Sequence, residues 1–197
     1  LDGAKFSTIC GDGTFASYAL SADGASAEKS TSAAVFDPDA DPIFVQEARV
    51  GETLYFVSYA GKLIGLSDKG AAIEKVSEAD LVAGAEGGWA PGGYNLMAAN
   101  AAKGTIFLSM HPDATDGSHK AVSKEIWAIE AASGKVLARS EAEGMGSITV
   151  TPGAKPLLFG TSEDGKLFKF TIGDDDKLTA AGEAGLAGFA MHVAVVE

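Results

Sequence analysis

Two histidines and two aspartates near the middle of the chain are the residues whose types could support metal chemistry. His111 and His119 flank Asp113 and Asp116. Neutral imidazoles and carboxylates bind a divalent cation when they converge on one point. The two histidines lie eight residues apart in a loop that contains Gly, Pro and Asp, and this is not a recognised ligand spacing. We therefore favour local hydrogen bonding in a structured loop. Contact with a partner and a metal-dependent hydrolase site are the alternatives.

Other patterns that could carry catalysis are incomplete. No serine lies in a Gly-x-Ser-x-Gly elbow, the turn that presents a nucleophile in hydrolases. The triplet 11–13, Gly-Asp-Gly, lacks the βαβ context of a dinucleotide site. The acidic triplet 174–176 lacks the glycine and distal glutamate of a calcium loop, so we predict a solvated turn there. None of these patterns supplies a nucleophile with its base.

Composition and charge exclude several classes of protein. Apolar residues make up 46% of the chain and charged residues 21%, which is typical of a globular protein. No apolar run reaches the roughly 18–20 residues that span a bilayer. The formal net charge of −12 disfavours nucleic-acid binding, which needs basic residues at the phosphates. The single cysteine, Cys10, is predicted to be a small buried residue in a strand, with a disulfide to another segment as the alternative.

Short runs of alternating apolar residues follow glycine-containing turns throughout the chain. Examples are residues 14–20, 53–59, 104–108 and 166–170. Alternation with period two predicts strands, and a unit that recurs every 40–60 residues or so favours the blades of a β-propeller over the alternative, a β-sandwich.

The repeat places four blades near residues 1–36, 41–83, 91–142 and 145–183. The strand-like segment 189–195 would then belong to a further blade. One stretch departs from the pattern: residues 76–83 predict a short helix, with Ser77 as its N-cap and Asp80 three residues later.

Several motifs resemble the heavy subunit of the periplasmic amine dehydrogenases that use tryptophan tryptophylquinone. The resemblance is closest to the aromatic (aralkyl) amine dehydrogenase branch, with methylamine dehydrogenase as a cousin. It extends from the first residues to about residue 132. Its motifs are Thr-Ile-Cys-Gly-Asp-Gly-Thr at 8–14, Asp-Pro-Ile-Phe at 41–44, Phe-Val-Ser-Tyr at 56–59, Trp-Ala-Pro-Gly-Gly-Tyr-Asn-Leu at 89–96, Met-His-Pro-Asp at 110–113 and Gly-Ser-His-Lys at 117–120.

The resemblance implies a seven-bladed propeller, of which residues 1–197 would be the C-terminal part, with about four blades. It further implies a periplasmic complex in which the quinone lies on a separate light subunit. That enzyme oxidatively deaminates primary amines and passes electrons to a blue-copper protein. Trp89 and Trp127 are the only two tryptophans here. The family's light subunit is rich in disulfides, however, and a chain with one cysteine does not match it. The resemblance therefore implies that this chain carries no catalytic residue.

Aromatic side chains on the Pro-Gly-Gly loop offer rigid contact area at a low entropic cost, which suggests the residues nearest such a light subunit. We expect Trp89, Pro91, Tyr94, His111 and His119 to form this interface, although Trp89 could instead pack within its own blade. The rival hypothesis is a propeller-like interaction module without enzyme activity. An open propeller exposes blade faces and strand edges. The remaining N-terminal blades are therefore expected from another copy or chain.

Overall fold

Glycine-containing turns divide the chain into short antiparallel strands. The computed structural model describes residues 5–44, 46–93, 95–112, 121–188, 190 and 192–194. This part of the chain contains sixteen strands and no helix, and therefore no helix that could cross a membrane.

The first two sheets are built from consecutive strands. Sheet 1 has the order β1 (Lys5–Ile9), β2 (Thr14–Leu20) and β3 (Ala27–Ala34). Sheet 2 has the order β4 (Ala48–Val50), β5 (Thr53–Val57), β6 (Lys62–Asp68) and β7 (Ile73–Asp80).

The other two sheets follow the same up-and-down order. Sheet 3 contains β8 (Ala90–Pro91), β9 (Met97–Asn100), β10 (Thr105–His111), β11 (Glu125–Glu130) and β12 (Val136–Glu141), and both β8 and β9 pair with β10. Sheet 4 has the order β13 (Met145–Val150), β14 (Leu157–Ser162), β15 (Lys166–Ile172) and β16 (Leu178–Gly185).

The sheets pack in series around a common axis. One apolar cluster joins sheets 1 and 2, a second joins sheets 2 and 3, and a third joins sheets 3 and 4. The first strands of neighbouring sheets also meet, since β9 contacts both β4 and β13. This radial order makes the fold an all-β propeller, as the repeat predicts, rather than a sandwich of two sheets. The total number of blades stays a prediction.

Central strands bury both faces because a sheet lies on each side of them. All seven residues of β10 are buried. Ile106 and Leu108 face sheet 2, whereas Phe107 faces sheet 4. Burial on both faces explains why β10 has three consecutive apolar residues, 106–108, instead of a strict alternation.

The predicted helix over 76–83 is wrong. Residues 73–80 form β7, which pairs along its whole length with β6. Ser77 caps nothing, and its buried hydroxyl has no hydrogen-bond partner among the described residues. The backbone hydrogen bonds to β6 outweigh the local capping pattern.

Two side-chain predictions are also corrected. Cys10 is exposed, because it follows the end of β1 and enters the turn to β2. The turn at 174–176 is not wholly solvated: Asp176 is only 4% exposed. Its carboxylate accepts a hydrogen bond from Thr105 Oγ1 (3.2 Å) and pairs with Lys103 Nζ (2.9 Å), which links sheet 4 to sheet 3.

The four predicted segments correspond to the four sheets to within two residues, since β8 begins one residue before the limit at 91 and β16 ends two residues after the limit at 183. The strand predicted at 189–195 lies partly outside the described residues. Its described positions, 190 and 192–194, are not in a strand.

Candidate functional site: the 89–96 segment and its surroundings

The structure brings three of the five predicted interface residues onto one end of sheet 3. Strand β8 pairs with the end of β10, so that Ala90 faces His111 and Pro91 faces Met110. Trp89 precedes this pair directly. Tyr94 and His119, like Asp113 and Asp116, lie outside the described residues. The interface itself stays a prediction.

Gly92 is required by a close approach of the chain to His111. A Cβ atom on Gly92 would lie 2.6 Å from His111 Cδ2 and 2.6 Å from the Ala121 carbonyl oxygen. The Gly92 amide also donates to the Ser109 carbonyl at 3.2 Å. The first glycine of the Pro-Gly-Gly turn therefore lets the 89–96 segment lie flat against β10.

Next in the same segment, Asn95 ties sheet 3 to sheet 4. Its side-chain amide donates to the Ile148 carbonyl at 3.0 Å. Its backbone accepts from the Ile148 amide (2.8 Å) and donates to the Gly146 carbonyl (3.2 Å). The 89–96 motif, on which the sequence resemblance rests, therefore holds two neighbouring blades in register.

His111 is buried beneath this segment, with only 7% of its surface exposed. Its Nδ1 lies 3.3 Å from the Pro112 carbonyl oxygen, which favours the tautomer with the proton on Nδ1. No group of three or more potential ligands that could hold a metal is found among the described residues. The metal hypothesis also involves residues 113–119, and those lie outside this description.

Trp89 belongs to an aromatic and charged cluster that the sequence does not reveal. Its ring centroid lies 5.5 Å from that of Trp127, and the Arg139 guanidinium sits 4.6 Å from each ring. Glu125 accepts hydrogen bonds from Trp127 Nε1 (2.7 Å) and Arg139 Nε (2.6 Å). Trp89 therefore packs within its own blade while remaining partly exposed.

Two residues of this cluster, Glu125 and Arg139, are functional candidates that the sequence reasoning missed. Trp127 and Arg139 are cross-strand neighbours on β11 and β12, so only the strand register brings them together. A cation over two aromatic rings is worth about 0.5–2 kcal/mol for each contact.

Carboxamide and hydroxyl side chains form further hydrogen bonds between neighbouring sheets. Gln46 donates from Nε2 to the Met97 carbonyl (3.1 Å) and accepts from the Met97 amide at Oε1 (3.3 Å). Ser123, fully buried, donates to the Ala142 carbonyl and accepts from the Met145 amide. These bonds connect sheet 2 to sheet 3 and sheet 3 to sheet 4.

A cavity of about 440 Å³ lies beside the axis, where the first strands meet. Its charged or ionisable lining residues are Glu47, Arg49 and His192, and its apolar lining residues include Met97 and Ile148. Arg49 Nε donates to the Gly51 carbonyl at 3.0 Å. This volume is large enough to admit a small molecule.

Comparison with known proteins identifies the family. The family model described as "Methylamine dehydrogenase heavy chain (MADH)" matches residues 2–192. The methylamine dehydrogenase heavy chain of Methylophilus methylotrophus is 27% identical over 96% of this chain and 48% of its own length. The corresponding heavy chain of Methylorubrum extorquens AM1 is 30% identical over 80% of this chain and 39% of its own length.

A solved structure of a protein from Lactobacillus plantarum supports the fold alone. It has a TM-score of 0.64 and 7% identity, and the match covers 91% of this chain and 51% of that one. The chain thus spans about half, or less, of the length of the curated relatives that it matches. With nearly the whole chain matched by one family model, the chain belongs to the methylamine dehydrogenase heavy chain family.

Proposed function

We propose that this chain is part of the heavy-chain scaffold of a quinone-dependent amine dehydrogenase. In this proposal a separate light subunit carries tryptophan tryptophylquinone and oxidatively deaminates primary amines, aromatic ones in particular, to aldehydes. The observation that carries the proposal is the family match over residues 2–192. The Trp-x-Pro-Gly-Gly-Tyr-Asn-Leu pattern at 89–96 supports the aromatic branch.

The tryptophans of this chain are poor candidates for the redox centre itself. Trp127 is 1% exposed, and its indole N–H donates a hydrogen bond to the Glu125 carboxylate. An amine could not reach that ring from solvent, and the Arg139 guanidinium lies over both indoles. The contact between Trp89 and Trp127 is best explained as packing, so we assign the quinone to the light subunit and derive no chemical step here.

The proposed light-subunit interface is the end of sheet 3 around Trp89, Pro91 and His111, with Tyr94 and His119 nearby in sequence. Trp89 offers a partly exposed ring that Trp127 and Arg139 hold in one orientation. Aromatic side chains that are already ordered contribute contact area at a low entropic cost. His111 is buried, so it would contribute to this surface through its close approach to Gly92.

The wider assembly follows from the same family reasoning. We propose a periplasmic heterotetramer completed by further propeller blades, in which electrons pass from the quinone to a small blue-copper protein. The net charge of −12 would favour association with surfaces that carry positive charge.

Replacing Trp89 by alanine is expected to weaken light-subunit binding by about tenfold or more, because a central aromatic anchor is worth about 2 kcal/mol. The chain would be co-purified with a quinone-bearing light subunit, and the dissociation constant would be measured by calorimetry. Activity per assembled complex should change little.

The matched control is Val76→Ala, which trims an exposed apolar side chain on β7 of sheet 2. Thermal unfolding of each variant shows whether weaker binding comes from lost packing within the chain or from lost contact with the light subunit. Unchanged light-subunit affinity in a folded Trp89→Ala variant would contradict the proposed interface. No association between the native chain and any quinone-bearing light subunit would contradict the scaffold, and would favour a binding module without enzyme activity.

A further inference from the structure

The last strand of sheet 4 differs in charge from the last strands of the other sheets. Strands β3, β7 and β12 each carry at least two charged residues, one of which is a lysine or an arginine. Strand β16 carries one charged residue, Glu183, and no proline. Charged side chains, lysines above all, deter an exposed edge from accepting another strand. A β-bulge interrupts all four outer pairs, so charge is the feature that sets β16 apart.

The free edge of β16 presents backbone groups that could pair with another strand. Near the end of the strand the Leu186 amide donates to the Gly165 carbonyl at 2.7 Å, which makes these two residues a hydrogen-bonded pair. Alternate residues of an antiparallel strand direct their backbone groups to opposite sides. Counting back from Leu186, the backbone groups of Gly185 and Glu183 therefore point away from β15.

Only the start of this edge is covered by sheet 3. The Leu178 amide donates to Ser140 Oγ on β12 at 2.9 Å, and Leu178 is buried. The following seven residues of β16 are all exposed. The edge is therefore closed at Leu178 and open from Thr179 onward.

A cavity of about 370 Å³ lies beside this open edge, between sheets 3 and 4. Its apolar lining residues include Met145, Phe168 and Phe170, which pack in the cluster that joins these two sheets. Ala180 lies opposite Phe170 and adds only a methyl group beside that ring. Among the described residues, no atom lies within 4 Å of a Cβ added to Gly182. The small residues of β16 therefore leave an apolar groove open along the free edge.

The rim of this groove is acidic. Glu141, Glu143 and Glu183 line it, and none of its lining residues in the described part of the chain is a lysine, arginine or histidine. Glu143 pairs with Lys124, whereas Glu141 and Glu183 have no ion pair among the described residues. The groove is therefore complementary to a segment in which basic side chains flank an apolar one.

We propose that the open edge of β16 binds an extended segment of a partner protein, which becomes a fifth strand of sheet 4. In strand addition, main-chain hydrogen bonds provide affinity, and pockets for alternate side chains provide specificity. The groove takes an aromatic side chain beside Phe168. The carboxylates of its rim take basic side chains two positions before and two positions after that aromatic residue. This docking depends neither on the amine chemistry nor on the light subunit.

The test uses the peptide acetyl-Lys-Thr-Phe-Thr-Lys-amide, which as a strand presents Lys, Phe and Lys on one face. It would be titrated into the isotope-labelled chain, without a light subunit, and followed by NMR. We expect saturable binding with a dissociation constant of about 1 mM. The peptide acetyl-Glu-Thr-Phe-Thr-Glu-amide has the same backbone and the opposite charge, so it should bind at least about tenfold more weakly.

Glu183→Lys places a lysine on the open edge and reverses a charge of the rim, so it should raise the dissociation constant of the basic peptide about tenfold. Glu183 is exposed, and the substitution should therefore leave folding intact. Glu74→Lys makes the same change at an exposed position of β7 that does not line the groove. This matched control should bind the peptide as the native chain does.

Hydrogen exchange on the native chain locates the bound peptide. The amides of Glu183 and Gly185 should become protected as the peptide is added, because they would donate to its carbonyl groups. No binding at about 10 mM peptide, ten times the expected constant, would overturn the proposal. Equal binding of the two peptides, or a bound peptide that leaves these two amides unprotected, would overturn it too. Failure of light-subunit binding would leave all of these readouts unaffected.

Discussion

Replacing Trp127 by alanine is expected to lower the free energy of unfolding by about 3–5 kcal/mol, the cost usual for truncating a fully buried aromatic residue. Trp127 is 1% exposed and lies in the apolar cluster that joins sheets 2 and 3. Its loss would also leave Glu125 without its indole donor and Arg139 over a single ring.

Urea unfolding followed by far-UV circular dichroism measures this effect, since the chain has only two tryptophans for fluorescence. Protein concentration must be held constant because association adds to apparent stability. Leu137→Ala on β12 of the same sheet is the control. Leu137 is 38% exposed, so its change should stay within about 0.5 kcal/mol. Equal effects of the two substitutions would contradict the assigned core.

Replacing Gly92 by alanine should destabilise the chain by about 1–3 kcal/mol, because the new methyl group overpacks a closed contact. Its Cβ would meet the His111 ring and the Ala121 carbonyl, both at 2.6 Å. The backbone carbonyl cannot move without shifting the 121–124 segment. The 89–96 segment would lift away from β10, and light-subunit binding would weaken with it.

Gly185→Ala is the matched control, since no atom lies within 4 Å of its added Cβ. A glycine in an ordinary conformation with free space gains about 0.4–1 kcal/mol on this change, through the unfolded state. The two alanine variants should therefore shift the urea midpoint in opposite directions. A Gly92→Ala variant as stable as the native chain would show that this turn is not tightly packed.

Much of the fold is predictable from the sequence because glycine turns and period-two runs are local signals. Residues 53–57 and 166–172 form strands where alternation predicts them. The predicted helix over 76–83 is wrong because its signal is local and the structure of this segment is not. A capping pattern is local, whereas the pairing of β7 with β6 joins segments whose register only the folded blade defines.

The candidate site is less predictable for the same reason. Trp89 and Pro91 share the motif at 89–96, whereas His111 belongs to the separate motif at 110–113. The pairing of β8 with β10 brings the two motifs together. Arg139 and Glu125 have no motif and reach the tryptophans through the register of β11 and β12. Asp176 has the appearance of a solvated turn residue, yet the packing of sheet 4 on sheet 3 buries it against Lys103.

Amine-dependent reduction of a dye acceptor is the measurement that tests the scaffold account most directly. The purified chain would be assayed with an aromatic primary amine, first alone and then after addition of a quinone-bearing light subunit. The account predicts no turnover by the chain alone and turnover once the light subunit is bound. Turnover by the chain alone, free of any light subunit by intact mass, would contradict it.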